Sequence, residues 1–199
     1  MNVLLYTATA AMLFIMAEAQ TASMPFEKEL GATPEALPLA IWLIKKTTKL
    51  YKTLCNLRGT CDTDWSHLPQ EHLLIPEIHS ESKCYPSTFE KEGCLELLAE
   101  GLFSFRIFLE YLQETLFPKK PELTQYLWPA TEFLANSLKS QLKNPDCMQP
   151  IPDAIDDDLV HKIAMYTGWT PAILRHTILR RYLKFMDTAA SAIQSIKTS

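Results

Sequence analysis

The sequence has few glycines and no long run of one charge. Only five of its 199 residues are glycine. Alternating apolar and polar residues, typical of half-buried strands, are hard to find, whereas helical patterns are easy to find. The net charge is -4, and no run of Lys and Arg is long enough for a nucleic-acid-binding surface. Apolar residues make up 47 % of the chain, so we expect one helical domain with a sizeable core and no nucleic-acid partner.

The patterns of known catalytic and metal sites are also absent from the sequence. It has no nucleophile elbow, no phosphate-binding loop and no HExxH. His161 and His176 fall in helical segments without a placed acid or nucleophile. Asp156, Asp157 and Asp158 are interpreted as a helix start rather than a calcium site. We therefore expect no enzymatic activity, no metal and no cofactor, and a protein that acts by binding.

The first nineteen residues have the pattern of a secretory signal peptide. An apolar stretch from Val3 to Ala17 leads to Ala17-Glu18-Ala19, a small-x-small cleavage pattern. The stretch is short for a membrane span, and no later stretch is long and apolar enough for one. We expect a secreted, extracellular protein comprising residues 20–199, with no membrane insertion after cleavage of residues 1–19. No Asn-x-Ser/Thr sequence is present, so N-linked sugar is not expected.

The five cysteines are expected to pair, because secreted proteins fold in an oxidising compartment. Cys55 and Cys61 lie six residues apart, and Cys84 and Cys94 lie ten apart. Local pairing within each couple is the simplest connectivity, and each bridge should contribute roughly 2–3 kcal/mol in the chain-entropy model. Neither couple has the gap of a zinc site. Cys147 is left over, either as a free thiol or as an intermolecular link.

The clearest periodic signal lies between Cys84 and Phe117. Ser87 and Glu90 form a possible capping box at its start, and Pro118 ends it. We predict a long helix over 89–117. Its buried stripe follows alternating spacings of three and four: Leu95, Leu98, Leu102, Phe105, Leu109, Leu112 and Leu116.

Three further long helices are predicted at about 35–55, 122–143 and 171–196, with a short one at about 156–167. The first starts at Thr33-Pro34-Glu35 and the last at Thr170-Pro171. Pro129 should kink the third helix or delay its start. Residues 20–31 are expected to be loosely held. The first helix is expected to bury one face: Leu37, Ile41, Ile44, Thr48, Tyr51 and Leu54.

The connections between the long helices indicate the topology. Long irregular stretches separate the first helix from the second and the third from the fourth, whereas a short Pro118–Pro121 turn joins the second to the third. When two consecutive helices run in the same direction, the chain between them must return along the whole length of the bundle, which requires a long connection. The sequence therefore predicts an all-α, long-chain four-helix bundle, up-up-down-down, with two long crossover connections and two local disulfides.

These residues resemble the interleukin-6, granulocyte colony-stimulating factor and myelomonocytic growth factor family of long-chain helical cytokines. The cysteine spacings of six and ten match the family. Residues 72–77 (HLLIPE) are similar to its leucine-proline segment before the second disulfide. Residues 101–113 (GLFSFRIFLEYLQ) are similar to its second helix, and Trp169 followed by residues 176–180 (HTILR) to its fourth. The similarity extends from about Leu37 to Ile196, and these three segments favour the interleukin-6 branch.

The resemblance implies a secreted cytokine that acts in immune, inflammatory and haematopoietic responses. Such a cytokine binds a non-signalling specificity receptor and a shared signal-transducing receptor, glycoprotein 130, and activates receptor-associated kinases. We expect it to be a monomer before receptor assembly. The first receptor surface would combine the end of the fourth helix with the aromatic residues Tyr85 and Phe89, although Phe89 could simply anchor the second helix to the bundle.

The other two surfaces would contact the signalling receptor. Spacing from Cys55 places Trp42, Lys45 and Lys46 on the second surface, where Trp42 is equally compatible with a core role. Trp169, at the start of the fourth helix, is the expected centre of the third surface.

One departure from the family concerns the first surface. The arginines that the family carries near the end of the fourth helix fall on Ser191 and Gln194, so those charged anchors are missing. Arg180, Arg181 and Lys184 lie further up the helix. Receptor contacts could be redistributed, or the protein could depend less on the specificity receptor.

Four alternatives stay open at this point. The protein could be of the colony-stimulating factor type or of the myelomonocytic growth factor type, which changes the receptor and not the fold. It could block a receptor without signalling, or it could be a secreted helical carrier of an apolar ligand.

Overall fold

The computed structural model describes residues 25–31, 34–58, 75–116, 124–148 and 171–198. Within these ranges the regular structure is helical, and they contain no strand. None of the helices in these ranges is long and apolar enough to cross a membrane. A π-helical turn, Leu112–Leu116, follows the third α-helix, and a 3-10 turn covers Pro145–Cys147. The α-helices are α1 (Pro25–Leu30), α2 (Ala36–Arg58), α3 (Lys91–Tyr111), α4 (Leu127–Lys139) and α5 (Pro171–Thr198).

Helix α2 buries a different face from the one the sequence predicts. Ile41 is 54 % exposed, and Leu37, Ile44, Thr48, Tyr51 and Leu54 are only half-buried. Two apolar stripes lie side by side on this helix, and the one centred on the leucines is buried where the helix packs against α1, α4 and α5. The buried residues of the helix are Leu39, Ala40, Trp42, Leu43, Thr47, Leu50 and Cys55.

Helix α3 buries the predicted stripe. Six of its seven members have described side chains, and each of these six is 0 % exposed. The helix starts at Lys91, and Glu90 is itself the N-cap, since its carboxylate accepts a bond of 3.3 Å from the Gly93 backbone N–H. The capping-box prediction, with Ser87 as the N-cap, is therefore wrong. The Cys84–Cys94 disulfide ties the preceding loop to the first turn of the helix.

Helix α4 is shorter than the sequence predicts, at thirteen residues. Residues 124–126 form a turn, and the helix begins at Leu127. Pro129 then lies in the first turn, where its missing N–H has no intrahelical partner to lose. The proline thus delays the start of the helix. At the other end, residues 140 and 141 form a turn after Lys139.

The four long helices run up, up, down and down. The N-terminal residues Ala36 of α2 and Lys91 of α3 line one cleft together with Leu138 and Ile196, which lie near the C-terminal ends of α4 and α5. Two helix starts and two helix ends therefore meet at one end of the bundle. Helix α2 packs against α4 and α5, and α3 packs against the same two helices. Residues 59–90 and 140–170 are the two long crossover connections. The predicted fold class is confirmed.

The centre of the core is occupied by Tyr182 of α5, which is 0 % exposed. Its ring meets Phe105 of α3 edge to face, with centroids 5.1 Å apart. Its hydroxyl lies 2.5 Å from Thr131 Oγ1 of α4. Next to it, Gly101 of α3 lets the Phe185 ring approach closely, because a Cβ at that position would lie 2.5 Å from Phe185 Cζ. These contacts join three helices at mid-height.

Several sequence-based predictions lie outside the described residues. They are the signal peptide at 1–19, the short helix at 156–167, Cys61 and Trp169. The side chain of Cys147 is also outside. Cys55 is disulfide-bonded, and its pairing with Cys61 stays a prediction.

Candidate functional site

The loop tied by the Cys84–Cys94 disulfide presents the first pair of predicted site residues. Tyr85 and Phe89 are both half-buried and pack against the core. The loop is held by backbone bonds, including the Thr88 N–H to the Tyr85 carbonyl (3.0 Å) and the Glu90 N–H to the Lys83 carbonyl (2.9 Å). Each ring therefore anchors the loop with one side and leaves another side accessible.

The end of α5 presents the second pair, at the same end of the bundle. Ser191 and Gln194 are exposed, and the Ser191 hydroxyl donates to the Asp187 carbonyl of its own helix (3.1 Å). One turn further, Lys197 donates to Glu35, just before α2, over 2.8 Å. Since α3 starts and α5 ends at this end, the two halves of the predicted first surface lie at the same end of the bundle.

A cleft of about 420 Å³ opens between these elements. It has an apolar floor and a polar rim, and the rim includes Glu35, Lys91 and Lys197. The floor residues come from three helices: Leu37, Leu138, Ile193 and Ile196. No pattern in the sequence predicts this cleft, because it exists only where the ends of four helices converge.

Helix α1, which was not predicted from the sequence, covers Trp42 of the second predicted surface and leaves Lys45 exposed. Phe26 of α1 is 1 % exposed and inserts between Trp42 of α2 and Phe133 of α4, with ring centroids 6.1 Å and 5.3 Å away. The expectation that residues 20–31 are loosely held is wrong for residues 25–31. A signal was present, since Pro25 stands at the first helical position and Gly31 follows the last, where it adopts a φ of 90°.

Trp42 is a core residue and not an exposed anchor. It is 6 % exposed, and its indole Nε1 donates to Glu29 of α1 over 2.7 Å. Lys46 pairs with the same carboxylate at 2.5 Å and lies 5.2 Å above the indole ring. The bond from Lys46, followed by the bond from Trp42, lowers the pKa of the Glu29 carboxyl. Of the three predicted residues, only Lys45 is exposed.

Of the three cations Arg180, Arg181 and Lys184 on α5, two form ion pairs within the molecule. Arg181 donates to Glu77 over 2.6 Å, and Lys184 binds the other oxygen of the same carboxylate. Glu77 belongs to the first crossover connection, so this contact fastens the connection to α5. Hydrogen bonding from Lys184 is the main reason that the pKa of Glu77 is lowered. Arg180 is exposed.

Near its start, α5 contacts the end of α2. His176 is 9 % exposed, and its Nε2 lies 2.9 Å from the Tyr51 hydroxyl. Burial, with a smaller contribution from Arg180, lowers the pKa of His176. This contact positions the first described turns of α5, which follow the predicted third surface at Trp169.

The surfaces described above have the residues of binding sites. Among the described residues, no group of three or more His, Cys, Asp or Glu side chains could hold a metal ion. Aromatic rings, an apolar-floored cleft and exposed cations are instead the features of protein-binding surfaces.

Comparison with known proteins gives a consistent result. The family model described as Interleukin-6/G-CSF/MGF matches residues 21–196. Interleukin-6 of Gallus gallus is 31 % identical over 175 residues, covering 86 % of this chain and 72 % of the relative. Interleukin-6 of Saimiri sciureus is 26 % identical over 170 residues (85 % and 80 %). Interleukin-6 of Felis catus is 26 % identical over 154 residues (77 % and 73 %).

Proposed function

Because the chain belongs to the interleukin-6/G-CSF/MGF family, we propose that it is a secreted cytokine of the interleukin-6 type, without enzymatic activity. It binds a specificity receptor and glycoprotein 130, and the assembled receptors activate their associated kinases. The observation that carries this proposal is the convergence of two predicted elements at one end of the bundle. The loop with Tyr85 and Phe89 leads into the start of α3, and the start of α3 and the end of α5 line one accessible cleft there.

The specificity receptor binds this end of the bundle. Tyr85 and Phe89 supply rigid aromatic area, and the disulfide and backbone bonds of their loop reduce the entropy lost on binding. Ser191 and Gln194 are exposed at the end of α5, where their uncharged polar side chains can contact a partner without supplying charged anchors. The aromatic residues therefore provide a larger share of this interface than the helix end does.

The signalling receptor binds the outer face of α2 through Lys45 and its exposed neighbour Ile41. Among the described residues Ile41 is the large apolar side chain that is exposed (54 %), and contact with a partner would remove it from water. Trp42 and Lys46 donate hydrogen bonds to Glu29 of α1 and thereby fix α1 against α2 next to this face. A second copy of the signalling receptor binds at Trp169, by the family resemblance.

Binding of the mature chain to immobilised glycoprotein 130, with and without the soluble specificity receptor, tests this function. Full binding should require both receptors. Tyr85→Ala should weaken binding to the specificity receptor by about tenfold or more, the loss typical of an aromatic hot spot. Tyr111→Ala is the matched control, since Tyr111 is also half-buried against the core and lies at the opposite end of α3.

Two results would contradict the proposal. The first is an absence of binding to both receptors, alone and together. The second is an equal loss of binding in Tyr85→Ala and Tyr111→Ala, which would show that general destabilisation and not a local surface is being measured.

A further inference from the structure

The cleft at the bundle end has more positive than negative charge on its rim. Lys91 and Lys197 line it together with a single carboxylate, that of Glu35. The polar side chains Ser137 and Gln141 complete the rim and carry no charge. The cleft thus offers an incoming group two ammonium donors above an apolar floor.

The pair between Lys197 and Glu35 is readily exchanged. The two side chains are 60 % and 70 % exposed, and they meet at 2.8 Å across 162 residues of sequence. Exposed ion pairs contribute little to stability, because water and salt screen them and both long side chains lose freedom. Another carboxylate brought to the same place would compete with Glu35 on nearly equal terms.

Lys91 stands at the start of α3 between two acids that bind elsewhere. Glu90 pairs with Lys83 at 2.6 Å and accepts from the Gly93 N–H. Glu92 accepts from the Lys143 backbone N–H at 2.7 Å. Lys91 is itself exposed and has no ion pair within the described residues. Its ammonium group is therefore available to a ligand at the cleft.

We infer that this cleft receives an acidic side chain of the specificity receptor, held by Lys91 and Lys197, with Glu35 as the internal carboxylate that it displaces. The inference rests on the proposed function and names the charged anchors of its first surface. It also explains how the first surface can have charged anchors although Ser191 and Gln194 are uncharged. The cations are instead Lys91, on the first turn of α3, and Lys197, one turn beyond Gln194. Apolar residues next to the receptor carboxylate would contact Leu37 and Ile193 on the floor.

The two members of the Glu35–Lys197 pair should then respond in opposite directions. Lys197→Gln removes a receptor contact and should weaken binding several-fold, while Lys197→Glu should weaken it by about tenfold or more through repulsion. Glu35→Gln frees Lys197 and should strengthen binding by about two- to fivefold. If the pair were only structural, neither substitution would strengthen binding.

The experiment is surface plasmon resonance of each full mature variant against the ectodomain of the interleukin-6 specificity receptor from the same species, at low and at physiological salt. Lys91→Glu is expected to behave as Lys197→Glu does. Lys52→Glu is the matched control, because Lys52 is an exposed lysine further along α2 and does not line the cleft. Thermal melting of each variant verifies that folding is retained.

The outcomes separate the two proposals. If the unmodified chain does not bind the specificity receptor, the proposed function fails and this inference fails with it. If the unmodified chain binds but Lys91→Glu and Lys197→Gln bind equally well, or if Glu35→Gln binds more weakly, the inference is overturned while the proposed function stands. Opposite effects of Glu35→Gln and Lys197→Gln, with Lys52→Glu unchanged, would support it.

Discussion

The buried hydrogen bond between Tyr182 and Thr131 predicts how the free energies of unfolding of two single variants and their double variant compare. Thr131 Oγ1 donates its proton to the Leu127 carbonyl at 2.7 Å. A hydroxyl has one proton to give, so the Tyr182 hydroxyl is the donor in the 2.5 Å contact with Thr131. Both residues are 0 % exposed. Burial also raises the pKa of Tyr182, which therefore keeps its proton.

The two single substitutions leave different groups without a partner. Thr131→Val removes the acceptor and leaves the Tyr182 O–H buried and unpaired, which should cost about 1–3 kcal/mol. Tyr182→Phe leaves Thr131 bonded to the Leu127 carbonyl, so the expected loss is about 0.5–1.5 kcal/mol. With both substitutions no buried hydroxyl is left unpaired. The double variant should therefore be more stable than Thr131→Val alone.

Urea denaturation followed by circular dichroism at 222 nm gives the required free energies of unfolding, provided that the denaturant slope is unchanged. None of these substitutions removes the ring at position 182, so its edge-to-face contact with Phe105 is expected to be kept. Two results would refute the reasoning: additive costs in the double variant, or a larger loss for Tyr182→Phe than for Thr131→Val. Either would mean that the Tyr182 hydroxyl does not depend on Thr131.

Three further perturbations test the packing of the bundle. Gly101→Ala places a Cβ against the buried Phe185 ring, so chemical denaturation should show a loss of about 1–3 kcal/mol in the free energy of unfolding, although alanine has the better helix propensity. Adding Phe185→Leu should restore part of that loss. His176 has a lowered pKa in the fold, so the unfolded chain binds its proton first and stability should fall as the pH drops below about 6.5. The drop in melting temperature between pH 7.5 and 5.5 should be smaller in His176→Gln, and an equal drop would contradict the assignment. Phe26→Ala should release α1 alone, so amide exchange should accelerate over residues 25–31 while the α2 backbone around Trp42 stays protected; loss of protection throughout the bundle would show that α1 is not a separate unit.

The sequence predicted the buried stripe of α3 correctly because one long stripe dominates its apolar residues. Its stripe residues recur at spacings of three and four over the whole helix, so the sequence predicts that this face is buried; Ile107 and Phe108, outside the stripe, are buried as well. The Cys84–Cys94 bridge was equally predictable, since two nearby cysteines are expected to pair locally in a chain with the pattern of a signal peptide. These two features, with the lengths of the connections, were sufficient to predict the topology.

Helix α2 shows where periodicity is insufficient. Its leucine stripe and the stripe containing Ile41 are adjacent, and both satisfy the helical spacing. Which of them is buried depends on where α1, α4 and α5 lie around the helix, and Trp42 is buried only because α1 covers it. Single-helix patterns carry no information on that arrangement.

The electrostatic contacts of the candidate site were not predictable either. Glu77 holds Arg181 from a connection 104 residues away, and Glu35 holds Lys197 across 162 residues. Such pairs form only after the bundle has brought helix ends and crossover connections together. Sequence spacing could therefore name Ser191 and Gln194 as departures from the family but could not identify the lysines that line the cleft.

Kinase activation in cells tests the central claim most directly. Cells that display glycoprotein 130 together with the interleukin-6 specificity receptor should respond to the refolded mature chain with phosphorylation of the receptor-associated kinases. Cells that display glycoprotein 130 alone should respond weakly or not at all. A chain that binds both receptors but leaves the kinases unphosphorylated would contradict the account and indicate a receptor-blocking protein.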